Sequence, residues 1–287
     1  MPYHPVKMVS VQSKMSFLSP LANGESPYVR GNVEEGFPRQ NFTNSDHLVQ
    51  FEDARQSMDA FQLDVQGFMF VEDSGIDDHL VQAIREKNSP VLKEKYYPVI
   101  ENLVKSNTGA TRVVIFDHTY RKRDPSLDPS ENSNGKEQPA ILVHVDQSET
   151  GAIGRVRGHG GADAERLLQK RAQIINVWRP INGPVRDWPL ATMDYRTIQQ
   201  SEIQPTDIFK QRHDRVGQTV SVVHSPDQKW YYLSGQTHKE VTLIKIWDNQ
   251  DGVAKLCPHG AFLHPEADTA AIPRESIEVR CLVFYDN

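Results

Sequence analysis

The sequence is poor in cysteine. Its 287 residues include only Cys257 and Cys281. Two cysteines this far apart lack the close spacing of a zinc site, and a single pair does not make a disulfide framework. We therefore expect a protein of a reducing compartment, with one bridge between the two cysteines as the alternative.

The chain also lacks long apolar runs and an excess of basic residues. No segment approaches the roughly 20 apolar residues of a membrane-spanning helix, and residues 1–17 contain no signal-peptide-like apolar run. The net charge is −6 at pH 7, which gives no electrostatic footprint for nucleic acid or anionic lipid. We expect a cytoplasmic protein whose partner is a small molecule, with no nucleic acid and no membrane. The sequence leaves its oligomeric state open.

The sequence does contain enough apolar residues for a large core, together with two kinds of periodicity. The hydrophobic fraction is 38%, which is more than a disordered chain carries. Residues 1–45 are rich in Pro, Gly, Asn and Ser and predict an extended N-terminal arm. Residues 74–106 show helical spacing, and about eight strand-like segments follow residue 110. Residues 46–287 are thus predicted to form a single, mainly β domain, a sandwich or jelly roll with helices 74–106 packed outside.

A His-x-Asp motif ends one of the predicted strands. The aliphatic residues 140–143 are followed by His144, Val145 and Asp146. Residues i and i+2 of a strand point to the same face, so the imidazole and the carboxylate project together. Such a pair supplies two of the three ligands in the facial triad that holds non-heme Fe(II). Taken alone, the motif is also typical of an ordinary polar strand end.

A facial triad needs a second histidine from elsewhere in the chain. The candidates downstream are His159, His213, His224, His238, His259 and His264. His224 ends a predicted strand, whereas His259 lies in the segment Pro258-His-Gly-Ala-Phe262. The small neighbours of His259 would permit the close approach of a metal and its other ligands.

The residues that follow His259 favour it as the third ligand. Arg274 and Ser276 have the i, i+2 spacing that places two side chains on one face of a strand. A guanidinium binds a carboxylate through two hydrogen bonds, and a neighbouring hydroxyl adds another. The pair therefore predicts an anchor for the distal carboxylate of 2-oxoglutarate, whose keto-acid end chelates iron. The alternative is an ordinary ion-paired arginine.

These segments resemble a family of fungal and bacterial oxygenases of secondary metabolism, which includes cephem-methoxylase-like and gibberellin-desaturase-like proteins. The resemblance covers roughly residues 110–287 and rests on six segments: residues 144–146, 171–181, 183–185, 189–191, 230–232 and 258–280. Many relatives carry a histidine just before the Trp-Tyr-Tyr run, where this chain has Gln228 and Lys229, and this difference supports His259 as the ligand. The resemblance implies a double-stranded β-helix, a cupin-like jelly roll with flanking helices, and chemistry that depends on Fe(II), 2-oxoglutarate and O2.

Three further cations compete for the role of co-substrate anchor. Arg280 shares the predicted face of Arg274, and Arg179 and Lys245 lie on other predicted strands. A buried cation requires an anionic partner, which either a bound carboxylate or an internal acid such as Asp248 can supply. The glycine-rich residues 151–161 predict a loop, either a lid over the site or a surface connection.

The sequence thus predicts an Fe(II)/2-oxoglutarate-dependent oxygenase with His144, Asp146 and His259 as metal ligands. The reaction would hydroxylate, desaturate or oxidatively cyclise an unactivated C–H position, with release of succinate and CO2. The excess of cations on predicted strands favours a small, carboxylate-bearing, amino-acid-like metabolite as substrate. The alternatives are a non-catalytic small-molecule-binding jelly-roll protein and a cupin-type metalloenzyme that does not use 2-oxoglutarate.

Overall fold

The computed structural model describes residues 9–21, 24–31, 36–131, 137–210, 214–267 and 272–285. The strands are β1 Ser10–Leu18, β2 Tyr28–Arg30, β3 Asn44–Asp53, β4 Phe68–Glu72, β5 Arg112–Lys122, β6 His144–Val145, β7 Ala172–Pro180, β8 Leu190–Met193, β9 Ile203–Phe209, β10 Arg215–Val222, β11 Trp230–Tyr232, β12 Glu240–Asp248, β13 His259–Ala261 and β14 Glu275–Phe284. The helices are α1 Asp78–Arg85, α2 Ser89–Val91, a π-helical segment Leu92–Tyr96, α3 Tyr97–Thr108, α4 Glu149–His159 and α5 Ala164–Leu168. Short 3-10 helices are Ala54–Gln56, Met58–Ala60, Gly161–Asp163, Tyr195–Thr197 and Gln200–Glu202.

The strands form two sheets. The larger has nine strands in the order β1-β3-β11-β8-β13-β6-β10-β9-β2, and the smaller has five in the order β4-β12-β7-β14-β5. Every residue of β7 and β12 is buried, as expected for inner strands that are covered on both faces. This confirms the mainly β fold with flanking helices. Among the described residues, no helix combines the length and the apolar character needed to span a bilayer.

Two apolar cores flank the smaller sheet. The first contains residues of both sheets, such as Phe51, Trp178 and Phe262, and therefore lies between the sheets. The second joins the outer face of the smaller sheet, through Val177 and Val279, to the helices that precede β5. Because successive side chains of a strand point to opposite faces, alternate residues of β7 and β14 belong to different cores. A residue's position along these strands thus decides whether it faces the interior between the sheets.

Part of the expected N-terminal arm is a strand of the larger sheet. Strand β1 pairs antiparallel with β3 along its whole length, from Ser10 opposite Glu52 to Leu18 opposite Asn44. Met15 and Phe17 are buried, while the intervening Ser16 is only partly covered. This alternation is the period-two pattern of a half-buried strand, so composition was a poor guide for this segment.

The glycine-rich segment after Asp146 is a helix, so the prediction of a loop was wrong. Helix α4 begins after Ser148, whose hydroxyl accepts a hydrogen bond from the Gly151 amide at 3.1 Å. Ala152 and Val156, four residues apart, are both fully buried against the main core. The N-cap and this buried face together outweigh the low helix propensity of the glycines.

Lys245 is fully buried and is bonded to two acids of this chain, so its charge is balanced without a co-substrate carboxylate. Its Nζ lies 2.6 Å from Asp64 Oδ1 and 2.8 Å from Asp248 Oδ2. Arg171 Nη2 contacts the same two oxygens, at 2.6 Å and 2.8 Å. The alternative in which Asp248 pairs with Lys245 is therefore the correct one.

We expect Lys245→Met to lower the free energy of unfolding at pH 7 by about 3 kcal/mol, because it removes one partner from a buried ion pair. Burial raises the pKa of Asp248, but Arg171 and Lys245 hold it below its ordinary value. Stability from such a group is present above the unfolded-state pKa and is lost as the pH falls through the folded-state pKa. The difference between wild type and Lys245→Met should therefore shrink below about pH 4.

Urea unfolding of both proteins at neutral and acidic pH measures this difference. The control is Lys255→Met, which removes an ion pair with the fully exposed Asp251 and should change stability little. Equal losses in the two variants, or a loss at Lys245 that does not depend on pH, would contradict the prediction.

Candidate active site

The three predicted metal ligands lie together in the structure. His144 on β6 and His259 on β13 are directly opposite each other in register, and their ring centroids are 4.6 Å apart. Asp146 follows β6, and its Oδ1 lies 3.3 Å from His144 Nε2. One ligand atom from each residue can be chosen so that all three lie within 4.8 Å of one another. Two imidazoles and one carboxylate are the donor set that non-heme Fe(II) oxygenases use.

Both histidines use Nδ1 for a hydrogen bond to a backbone carbonyl oxygen, so Nε2 is the ring nitrogen that each can offer to a metal. His144 Nδ1 lies 2.7 Å from the carbonyl oxygen of Leu142, and His259 Nδ1 lies 3.0 Å from that of Cys257. A carbonyl oxygen only accepts, so we assign a proton to Nδ1 in each ring. Nε2 of His144 lies 3.3 Å from Asp146 Oδ1, and a hydrogen bond between these atoms requires a proton on Nε2, which metal binding would displace. Nε2 of a neutral His259 carries a free lone pair. Nε2 of His259 is buried and has no hydrogen-bond partner among the described residues. A bound metal would satisfy this atom.

Only one oxygen of Asp146 faces the histidines. Oδ1 is the atom near His144. Oδ2 accepts hydrogen bonds from Asn176 Nδ2 at 2.8 Å and from Arg280 Nε at 2.7 Å. Both donors come from the smaller sheet, whereas the histidines are on strands of the larger one and Asp146 directly follows its strand β6. The site therefore lies between the two sheets.

The electrostatics of the site favour the protonation states that metal binding requires at His259 and Asp146, but not at His144. Burial, together with the charge of His144, lowers the pKa of His259 to about 4. Burial raises the pKa of Asp146, but Arg280 and the hydrogen bond and charge of His144 outweigh it and hold the pKa well below its ordinary value. Burial lowers the pKa of His144, and the hydrogen bond and charge of Asp146 reverse this and raise it. A neutral His259 and an ionised Asp146 at neutral pH can both donate to a metal.

One cavity connects the histidines with the predicted co-substrate anchor. It is lined by His144, His259, Arg274, Ser276 and Arg121, among others. Both Arg274 and Ser276 are buried, and strand β14 pairs Ser276 with Arg121 of β5. The cavity thus contains metal ligands together with two arginines, two hydroxyls and one carboxyl group. The two arginines suit a metal-chelating dicarboxylate.

Arg274 is a buried cation without a carboxylate in ion-pair contact among the described residues. Its Nη1 donates to the carbonyl oxygen of Trp188 at 2.6 Å, and its guanidinium lies 5.2 Å from the ring centroid of Trp178. Its Nε is buried with no hydrogen-bond partner in the described part of the chain. Burial lowers the pKa of Arg274 to about 9. An anionic ligand in the cavity would supply the missing countercharge.

The other two arginines proposed as anchors have different roles. Arg179 is fully buried on the outer side of the smaller sheet, where it pairs with Asp73 and lies 3.2 Å from the Tyr96 hydroxyl. The prediction for Arg179 is therefore wrong, because its side chain points away from the cavity. Arg280 does face the interior, but its Nε is bonded to Asp146.

The remaining described histidines lie outside the group formed by His144, Asp146 and His259. His224 stacks on His47 with a centroid distance of 4.1 Å. His264 lies beside Tyr232, and His159 at the end of α4 lies beside Phe116. The carbonyl oxygen of His238 accepts a hydrogen bond from Arg179, and His213 lies outside the described residues.

Sequence reasoning missed Arg121 and Glu278, which also line the cavity. Arg121 lies near the end of β5, which continues to Lys122. The available signal was the period of two that places Thr119 and Arg121 on one face. Glu278 shares the face of Ser276 by the same spacing.

Comparison with known proteins bears on this site. A family model described as "Oxidoreductase/YMDC permease-like domain" matches residues 15–284. The chain is 39% identical over 276 residues to the Fe(II)/2-oxoglutarate-dependent dioxygenase nvfI of Aspergillus novofumigatus, covering 95% of this chain and 96% of that protein. It is 32% identical to the hydroxylase/desaturase efuI of Hormonema carpetanum, covering 98% and 97% of the two chains.

A solved structure supports the same relationship. This structure is of the iron and alpha-ketoglutarate-dependent endoperoxidase NvfI in a different conformation, and it matches with a TM-score of 0.89 and 36% identity over 98% of this chain and 100% of that one. This match confirms the jelly-roll fold and disfavours both the non-catalytic alternative and a metalloenzyme without 2-oxoglutarate. The chain belongs to the Fe(II)/2-oxoglutarate-dependent oxygenases of fungal secondary metabolism.

Proposed function

We propose that His144, Asp146 and His259 hold the Fe(II) of this oxygenase and that Arg274 and Ser276 bind the distal carboxylate of 2-oxoglutarate. The observation that carries the proposal is a single cavity lined by both His259 and the buried Arg274. In the part of the chain that the structure describes, His259 Nε2 has no hydrogen-bond partner. Arg121, opposite Ser276 in register, supplies a second positive charge on the same side. These residues would fix both ends of a small dicarboxylate.

The contribution of the chain to the reaction is positioning and the exclusion of water. Hydrogen bonds at Nδ1 of each histidine and at Oδ2 of Asp146 orient the three side chains. The atoms left for the metal are Nε2 of each histidine and Oδ1 of Asp146. Trp178 and Leu190, which also line the cavity, give it an apolar wall that strengthens the attraction between the arginines and a carboxylate. Iron, when bound, supplies the activation of O2 for oxidation at a C–H bond, while 2-oxoglutarate is converted to succinate and CO2.

We propose a small-molecule substrate that is oxidised at an unactivated C–H position. Relatives are named as hydroxylase/desaturases and as an endoperoxidase, so hydroxylation, desaturation and ring formation all remain within the proposal. A carboxylate-bearing substrate stays a prediction, and the cations on which it was based, Lys245 and Arg179, have internal acidic partners. We also propose a cytoplasmic location, which the two free, buried cysteines support.

We expect His259→Ala to abolish the visible charge-transfer band that forms when Fe(II) and then 2-oxoglutarate are added to the protein without oxygen. The physical reason is the loss of the buried Nε2 lone pair from the ligand set. Anaerobic absorption titration measures the band. His224→Ala is the matched control, since His224 was the other strand-end candidate and lies beside His47. Loss of the band in the control but not in His259→Ala would reverse the assignment.

We expect Arg274→Met to weaken binding of 2-oxoglutarate to the iron-loaded protein by about 2 kcal/mol or more, which is about 30-fold, because the carboxylate loses a buried charged partner. Ser276→Ala removes one hydroxyl hydrogen bond and should have a smaller effect, of about 1 kcal/mol. Titration of the same absorption band gives both affinities.

Arg179→Gln is the control for the loss of a buried arginine. It removes the contact with Asp73 on the outer side of the smaller sheet and should reduce stability without changing the 2-oxoglutarate affinity of the folded protein. Unchanged affinity in Arg274→Met would exclude Arg274 as the anchor.

A further inference from the structure

The second oxygen of Asp146 is held by a cross-strand pair of the opposite sheet. Arg280 of β14 and Asn176 of β7 are direct register partners. Their donors lie 2.7 Å and 2.8 Å from the same atom, Asp146 Oδ2. Asn176 is fully buried, and the side chain of Arg280 is only 12% exposed. This arrangement leaves Oδ1 as the one oxygen of Asp146 directed toward the histidines.

The guanidinium of Arg280 is itself fixed in position. Its Nη1 donates to Asp117 Oδ2 at 3.0 Å and to Thr119 Oγ1 at 2.7 Å, and its Nη2 donates to Glu278 Oε1 at 2.9 Å. A guanidinium is planar, so acceptors on several of its edges together determine its orientation. Arg280 therefore cannot follow Asp146 if that carboxylate rotates.

We propose that Arg280 and Asn176 are positioning residues that restrict Asp146 to a single metal-binding oxygen. A carboxylate can bind a metal through one oxygen or through both. Binding through both would require Oδ2 to exchange two buried hydrogen bonds, one of them charge-assisted, for the metal. By preventing this exchange, the pair keeps one more coordination position available to water, 2-oxoglutarate or O2.

This inference rests on the proposed metal ligands. It predicts an effect on the metal site that would not occur if Arg280 only stabilised the fold. If Arg280 only stabilised the fold, its loss would reduce thermal stability and leave the folded site unchanged. If Arg280 positions Asp146, its loss would leave metal binding in place but reduce the number of positions open to other ligands. The number of exchangeable waters on the bound metal distinguishes the two cases.

The experiment uses Mn(II) as a probe, since its effect on water-proton relaxation reports the exchangeable waters bound to it. We expect Arg280→Met and Asn176→Ala to bind one Mn(II) per chain, as the wild type does, but with a lower relaxation enhancement. Titration of 2-oxoglutarate in the same samples should show affinity reduced by about tenfold, which is the lower end of the loss in metal affinity or activity that follows removal of a residue orienting a metal ligand. Asn176→Ala removes a single neutral donor and decides the question if Arg280→Met does not fold.

The control is Arg85→Met, which removes an arginine bonded at 2.7 Å to Glu275 on the outer face of the same strand, β14. It should lower the melting temperature and leave the relaxation enhancement and the 2-oxoglutarate affinity at wild-type values. Wild-type values in folded Arg280→Met or Asn176→Ala would overturn the inference while the proposed function stands. Mn(II) binding that persists at full affinity in both Asp146→Ala and His259→Ala would overturn the proposed function itself.

Discussion

The pairing of His144 with His259 across two adjacent strands is the constraint on which the site depends. Strand β6 is only two residues long, and it is held in the larger sheet between β13 and β10. Val143 and Val145, on either side of His144, are fully buried in the main core. A slip of one residue would move every side chain of a strand to the other face. Burial of the two valines therefore fixes which way the imidazole points.

The smaller sheet orients the second half of the site by the same principle. Ser276, Glu278 and Arg280 face the cavity or Asp146, while Ile277 and Val279 between them pack on the outside with the helices. Apolar burial against those helices thus sets the direction of the polar residues on β14. The helical layer contributes no proposed ligand of its own, yet the geometry of the site depends on it. This coupling explains why the polar site residues are spaced by two along a strand that is almost completely buried.

The parts of the site that the sequence predicts are those that need only local geometry. The pair His144 and Asp146 and the pair Arg274 and Ser276 follow from the period of two in a strand. Arg179 shows the limit of this reasoning: its spacing from Asn176 places the two on opposite faces, but only the packing of the sheet reveals which face is the interior. Composition misled in two segments: glycine content hid α4, and polar residues hid β1, in which Met15 and Phe17 alternate with serine. In both segments the positions of the buried residues carried the information.

The buried cations differ in whether they contact a carboxylate of this chain. Those that do have a structural role, and one that does not is available to a ligand. Lys245, Arg179 and Arg280 each contact an aspartate of this chain, so their charges are already balanced. Arg274 lies against a carbonyl oxygen and an aromatic ring, and among the described residues it has no carboxylate in ion-pair contact. Burying an unbalanced charge is costly in any fold, and the lowered pKa of Arg274 reflects that cost. In the proposed function, the distal carboxylate of 2-oxoglutarate would offset this cost on binding, which is the physical reason for assigning Arg274 as its anchor.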